Sequence, residues 1–346
     1  MAKMKALMKV KPERGASIQE VDVPSPGPRD LLVQVKKAAI CGTDNHIYAW
    51  TGFAQERCTL PMIFGHEYCA EVVDVGVEVA AFKIGDMVAA ETHIPCGHCH
   101  QCQTGRQHTC ESMKIIGVHA DGAFSDYAIL PESCAWKLPP GMSPDLGAIL
   151  EPMGVAMNGL MKDRVGGCNI AIFGCGPIGI FCVQLAQAAG ANLLFATDIN
   201  PYRIDLCRKV VPEATVFNAK DQDVVAAILD ATGGRGVDVS IELTGTAPAT
   251  QQCFKVLRKG GRVSLVGLPS DPITLDMTDS IIYREAVVYG STGRVMWDTW
   301  WQMNQLLEKG SIDPTKVITH QFPLDKFDEA LELTISGNAG KVLLEP

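Results

Sequence analysis

Apolar residues recur along this chain with two different periods. Up to about residue 150 they form short runs that alternate or stay apolar, as in LLVQVKKAAI (Leu31–Ile40), CAEVVDVG (Cys69–Gly76) and DMVAAE (Asp86–Glu91). PSPGPRD and PPGMSP punctuate them, and runs of that length bounded by Pro and Gly predict strands in a β-rich region. From about Gly166 the pattern changes. NIAIFG predicts a strand, PIGIFCVQLAQAA a helix stopped by Gly190, and LLFATD a second strand. AKDQDVVAAILDAT predicts a helix, VDVSIELTG a strand, ATQQCFKVLRKG a helix, and RVSLVG and AVVYGS two more strands. Strands alternating with helices of this length predict βαβ units and a parallel sheet, so the class is α/β. After Gly293 two helical segments, Trp297–Lys309 and Asp325–Ser336, precede a strand-like KVLLE.

At 346 residues the chain exceeds the size of one ordinary core, so two domains are expected. With 47% hydrophobic and 20% charged residues the composition is that of an ordinary globular protein. The net charge of −9 and the lack of a Lys/Arg cluster argue against a nucleic-acid partner. The most apolar stretch, Asn169–Thr197, is broken by Gly174, Pro177, Gly179 and Gly190 and reads as buried strand–helix–strand, not a membrane span. The start, MAKMKALMKVKPERG, is basic but has no long apolar core or small-residue cleavage site, which leads to an expectation of a cytoplasmic protein. Thirteen cysteines then point to reduced thiols and metal ligation, not a disulfide framework.

Four of those thiols crowd into CGHCHQCQTGRQHTC. Cys96, Cys99, Cys102 and Cys110 form C-x2-C-x2-C-x7-C, a spacing that can close a tetrahedral shell around one zinc ion. Such a shell has no position left for a substrate, so the lobe (about 92–114) is expected to be structural, with His98, His100 and His108 as exposed loop residues. A second motif follows the strand NIAIF: Gly174-Cys-Gly176-Pro-Ile-Gly179, which opens a helix. In that context the glycines allow a tight turn, close approach of a pyrophosphate and close helix–sheet packing, and the helix N-terminus receives the diphosphate. Asp198 closes the next strand, where a carboxylate can accept from ribose hydroxyls and repel a 2′-phosphate, favouring NAD. Arg203 could instead pair with such a phosphate or stack on adenine. Cys41-Gly-Thr43-Asp-Asn-His46 and Gly65-His66-Glu67 supply a thiol, imidazole and carboxylate that only tertiary structure could unite. His93 and His119 read as structural histidines, and Trp297, Trp300 and Trp301 as core or subunit-contact residues. Arg294 is a candidate partner for a cofactor phosphate or a substrate carboxylate.

Taken in order, Cys41-Gly-Thr43-Asp, Gly65-His66-Glu67, the four-cysteine lobe, Leu150-Glu151-Pro152 and the glycine fingerprint resemble the zinc-containing medium-chain alcohol dehydrogenases over essentially the whole chain. His46-Ile-Tyr48-Ala-Trp50, Ala54-Gln55, Glu91-Thr-His93-Ile and Gly293-Arg294-Val-Met-Trp-Asp-Thr-Trp300 resemble the branch acting on L-threonine. The resemblance implies a GroES-like catalytic domain over 1–155 and 295–346 and a Rossmann domain, a doubly wound parallel sheet, over 156–294. It implies Cys41, His66 and Glu67 as catalytic zinc ligands, Glu151 as an acid near that zinc, and Thr43 and His46 as a proton relay. Ile178, Asp198, Arg203, Val266, Gly267, Leu268, Ser291 and Thr292 are implied as cofactor contacts beside Gly174, Gly176 and Gly179. Two zinc ions per chain, NAD, a small hydroxylated substrate and a homotetramer complete the expectation. Two other readings stay open: a polyol or 2,3-butanediol-type secondary-alcohol dehydrogenase, and a zinc-stabilised NAD-binding sensor without turnover.

Overall fold

The computed structural model describes residues 2–346. The chain divides into two compact units, Met1–Pro152 with Ile318–Pro346, and Met153–Val317.

The first unit is built on a seven-stranded sheet. Its order is Ala135–Lys137, Met87–Ala90, Glu67–Val75, Asp30–Ala39, Lys341–Glu345 and Ile318–Pro323, with Tyr127–Pro131 also paired to Asp30–Ala39. Alternation explains the central strand: Leu31, Val33 and Val35 point into the core while their neighbours are half-buried. The C-terminal strand enters antiparallel beside Asp30–Ala39, pairing Leu343 with Ala39. Phe64, Phe124 and Phe327 meet pairwise at 5.4 Å between ring centroids at the heart of this core. A smaller sheet joins Ser17–Asp22, Lys3–Lys9 and Met62–Ile63, and His93–Ile94 pairs with Lys114–Ile115 beside the cysteine lobe.

The second unit holds a six-stranded parallel sheet in the order Thr215–Asn218, Leu194–Asp198, Ile170–Phe173, Val237–Glu242, Leu257–Leu265, Val287–Gly290. Strand order runs outward in both directions from Ile170–Phe173, the doubly wound arrangement, with a switch point beside the first strand. The central strand Ile170–Phe173 is apolar and wholly buried, as a strand covered on both faces requires, while the edge strand Val287–Gly290 is largely exposed. Helices Pro177–Ala188, Pro201–Val210, Val224–Ala231 and Ala247–Lys255 connect them.

Some boundaries differ from expectation. The helix predicted from Ala219 starts at Val224, because Asp223 caps it by accepting from Ala226 N at 3.0 Å. The segment 295–317, expected to return to the catalytic domain, lies with the second unit. There helix Asp298–Glu308 buries Trp300 and Met303, and Gln184 Nε2 donates to Asp313 O at 2.8 Å. Trp300 is a core residue with Trp297 edge-on at 6.0 Å, whereas Trp301 is 61% exposed. Among the described residues no helix is long and apolar enough to cross a membrane.

Candidate active site and metal centres

The first cluster forms where two strands meet. Cys41 follows Asp30–Ala39 and caps helix Gly42–Ala49, its backbone N–H held by Asp44 Oδ2 at 2.8 Å. His66 and Glu67 begin the adjacent strand after Gly65, whose φ of +93° lies in the left-handed region and whose Cβ position falls 2.3 Å from the Phe124 ring. Only glycine fits there, and it turns the next two side chains toward Cys41. The donor atoms of Cys41, His66 and Glu67 all lie within 4.8 Å of one another. His66 Nδ1 and Asp44 Oδ1 face each other at 3.8 Å, both buried and without a hydrogen bond among the described residues.

The charges around this group are unbalanced. Burial pushes the Cys41 thiol and the Asp44 carboxyl up and the Glu67 carboxyl well above the usual carboxylate range. Lys341, on the last strand, opposes this by donating to Glu67 Oε2 and to Ile40 O at 2.9 Å. Burial alone would lower the lysine, but Glu67 and Cys41 hold it above its ordinary value. One ammonium shared among Cys41, Glu67, Asp44 and Glu151 is too little positive charge for so many buried acids. A soft thiolate, an imidazole and a carboxylate converging here suit a zinc ion with a fourth position open.

Around the cluster, the Cys41 thiol faces Thr43 Oγ1 at 3.7 Å. His46 lies one turn further along the same helix, exposed, its Nδ1 3.2 Å from Thr51 Oγ1. Glu151 is buried and accepts from Thr92 Oγ1 at 3.2 Å. His93 Nδ1 meets the buried Glu91 carboxylate at 2.7 Å, and His119 Nδ1 accepts from Ile115 N at 3.1 Å, a structural bond.

The second cluster is local. Sulfurs of Cys96, Cys99, Cys102 and Cys110 lie within 4.8 Å of one another, and all thirteen cysteines are free thiols. Backbone N–H groups of Glu111 and Cys102 pull the Cys99 thiol down to about 6, while burial and the neighbouring thiols push Cys102 up to about 12. Cys96 N and Ser112 N donate to Cys110 Sγ at 3.2 and 3.4 Å. Amides aimed at sulfur and thiols that cannot all ionise alone fit a structural zinc shell. His98 and His100 stand exposed outside that shell.

In the second unit the glycine fingerprint links strand Ile170–Phe173 to helix Pro177–Ala188, with Gly176 as N-cap. Asp198 closes the next strand and organises this turn, accepting from Cys175 N, Ile199 N and Asn200 N at 2.7, 2.7 and 2.8 Å. Ile178 is half-buried in the first helical turn, and Arg203 Nε is buried with no protein partner among the described residues. Val266 and Gly267 donate from their backbone N–H to Glu242 O, each at 3.0 Å, and Leu268 is 88% exposed. Ser291 N donates to Leu265 O at 2.9 Å, its Oγ is buried without a partner among the described residues, and Thr292 is exposed. All of these residues collect at the carboxyl edge of the parallel strands, where open α/β sheets bind ligands. Arg294 is buried, its Cδ 2.6 Å from the Cβ position of Gly154.

Sequence reasoning gave no role to Asp44, Glu91, Lys341 or Glu242. Glu242 is buried and takes the backbone N–H groups of Thr244 and Gly245 at 2.7 and 3.0 Å, shaping the loop beside the fingerprint. A signal existed for two of them: an acid closing VDVSIE and a lysine opening KVLLE are charges in otherwise apolar strands.

Residues 27–140 match the alcohol dehydrogenase GroES-like domain, and residues 177–309 match the zinc-binding dehydrogenase domain. The chain is 41% identical to the L-threonine 3-dehydrogenase of Pyrococcus furiosus, over 99% of this chain and 98% of that one. The chain belongs to the zinc-containing medium-chain alcohol dehydrogenases. It is also 43% identical to the L-threonine 3-dehydrogenase of Symbiobacterium thermophilum, over 99% and 98% of the two chains. Among solved structures, 2R,3R-butanediol dehydrogenase from Bacillus subtilis superposes with a TM-score of 0.89 at 29% identity, over 99% of each chain. A zinc-binding dehydrogenase from Sinorhizobium meliloti, bound to NADP, superposes with a TM-score of 0.90 at 30% identity, over the whole of both chains. The chain is therefore an oxidoreductase, and its α/β architecture, GroES-like plus Rossmann, is the one the motifs imply.

Proposed function

We propose that this enzyme oxidises the β-hydroxyl of L-threonine with NAD, giving 2-amino-3-oxobutanoate and NADH, with two zinc ions per chain. The observation that carries this reading is identity of about 41% over nearly the whole chain to enzymes named L-threonine 3-dehydrogenase, joined to a Cys41–His66–Glu67 group suited to zinc. The first unit serves catalysis and the second binds the nucleotide.

When bound, zinc acts as a Lewis acid on the substrate hydroxyl and NAD accepts the hydride. The chain's own residues do the rest. Cys41, His66 and Glu67 hold the metal, while Asp44 orients Cys41 through its amide and faces the His66 ring. Thr43, beside Cys41, receives the substrate's proton, and His46 on the next turn releases it at the exposed face of the helix. Glu151 adds a buried carboxylate that raises the proton affinity of Cys41 and Glu67 and so strengthens the site's demand for a cation. Gly174, Gly176, Ile178 and Gly179 cradle the pyrophosphate. Asp198 takes the adenosine ribose and disfavours a 2′-phosphate, and Arg203 contributes its unpartnered Nε to the adenosine side. Val266–Leu268 and Ser291–Thr292 line the nicotinamide half. Cys96, Cys99, Cys102 and Cys110 hold the second, structural zinc.

A cytoplasmic homotetramer is part of the proposal. Pairing between copies is supported by the outer strand Val287–Gly290 of the parallel sheet, whose Val287 and Val288 are 48% and 38% exposed. The likeness to 2R,3R-butanediol dehydrogenase favours a second reading, a secondary-alcohol dehydrogenase. NADH formation measured with L-threonine, D-threonine, sorbitol and 2,3-butanediol separates the two. L-Threonine should be the preferred substrate; reduction with butanediol or sorbitol alone selects the second reading. NAD binding without turnover on any of the four indicates a sensor.

A further inference from the structure

We infer that Thr51 and Lys9 are positioning residues for His46, with Thr51 engaging Nδ1 so that Nε2 is the nitrogen that exchanges the proton; the inference rests on His46 acting as the relay. Helix Gly42–Ala49 ends at Trp50, a bulky residue at φ 54° in the left-handed region, where glycine is usual. A non-glycine residue persists there only when its surroundings dictate it. Gln55 Nε2 holds the Trp50 carbonyl at 2.9 Å, and Lys9 pins the chain on either side of the turn. Lys9 is wholly buried, and among the described residues its ammonium donates to three main-chain carbonyls and to no carboxylate: Glu13 O, Gly15 O at 2.8 Å and Tyr48 O at 2.8 Å. The rings of Trp50 and Tyr48 lie 5.6 and 6.0 Å from it, so the cation sits between a helix C-terminus and two aromatic rings.

The locked turn sends the chain back over the helix end. Thr51 N donates to His46 O at 3.1 Å, and Thr51 Oγ1 meets His46 Nδ1 at 3.2 Å. Phe53 then flanks the imidazole, with centroids 5.7 Å apart. A hydroxyl both donates and accepts, so Thr51 can bond Nδ1 whether the ring is neutral or protonated. With Nδ1 engaged, Nε2 is the nitrogen left to exchange protons. The cations against this turn are Lys9, Arg14 over Tyr48 at 5.2 Å and Arg57 over Phe53 at 4.7 Å; Glu332 and Glu56 pair with the two arginines at 2.5 and 3.0 Å, Asp328 meets the Tyr48 hydroxyl, and Glu13 lies near Lys9.

The test is a double-mutant cycle on the zinc-loaded enzyme, reading the pH profiles of kcat and kcat/KM with L-threonine. Thr51→Val should lower kcat about tenfold with KM unchanged and displace the acidic limb of the profile, because orientation of the relay is lost. Thr51→Ser should restore both. In a His46→Gln background Thr51→Val should have no further effect. Lys9→Met should reproduce the Thr51→Val profile together with a lower Tm; if it does not fold, the Thr51 series decides. A Thr51→Val enzyme with wild-type profile, or an equal loss in both backgrounds, overturns the inference. If His46→Gln itself leaves rate and profile unchanged, the relay reading fails instead.

Discussion

Two alanines in the glycine fingerprint separate packing from ligand space. At Gly179 a Cβ would lie 1.9 Å from Gly174 O and 2.8 Å from Gly174 C, both backbone atoms. A carbon needs more than 1 Å of additional clearance from such atoms, so helix Pro177–Ala188 must lift from the turn. Overpacking of this kind costs about 1–3 kcal/mol, which in a unit of this size lowers Tm by about 3–10 °C. Gly176 is different: its φ of −63° and ψ of 175° suit any residue, and no heavy atom lies within 4 Å of its Cβ position. Gly176→Ala should move the Tm of the cofactor-free protein by no more than about 2 °C, the effect of a changed N-cap. If that empty space is where the pyrophosphate approaches, the same methyl should weaken NADH binding at least tenfold, about 1.4 kcal/mol. Calorimetry of the free proteins with NADH fluorescence titration measures both. A Gly176→Ala protein that binds NADH normally, or a Gly179→Ala protein as stable as the parent, refutes the reasoning.

His66→Ala should abolish NADH formation and lower zinc content by one ion per chain while leaving the other ion in place, checked by metal analysis alongside activity. Cys110→Ser should remove the other ion and lower Tm, since the lobe around Cys96–Cys110 is held by those four sulfurs and little buried apolar surface. Asp238 tests the pH dependence of stability. Burial alone would raise its carboxyl, but Arg258 Nε and Asn169 N, at 2.6 and 2.7 Å, hold it below its usual value. A depressed folded value means stability that is present above the unfolded value, about 3.9, and lost as pH falls further. Urea melts should therefore show Asp238→Asn about 1 kcal/mol less stable at pH 7, a figure reduced by partial exposure, with the gap narrowing as pH falls below about 4.

What could be read directly from the chain was whatever is short-range. Four cysteines within one loop and a glycine turn between strand and helix place their own atoms, so their geometry follows from spacing. The Cys41–His66–Glu67 group was legible only by resemblance, because a strand turn and Gly65 bring its halves together. Lys341 meets Glu67 across 274 positions, a separation no local pattern encodes. The break at Val317 has no local signal for a related reason: helix Asp298–Glu308 has the same amphipathic character whichever core covers Trp300. Nothing in the basic start of the chain marks Lys9 as buried; its burial follows from the loop 10–16, whose Glu13 and Gly15 carbonyls wrap around it.

The central claim is hydride transfer from the β-carbon of L-threonine to NAD on the zinc-loaded enzyme. Incubating it with NAD and L-threonine deuterated at that carbon, and reading the reduced nicotinamide by NMR, tests the claim most directly. The account predicts one deuterium at C4 of the reduced ring for each threonine oxidised. Reduced cofactor carrying no deuterium, or no reduction with L-threonine at full zinc content, would contradict it.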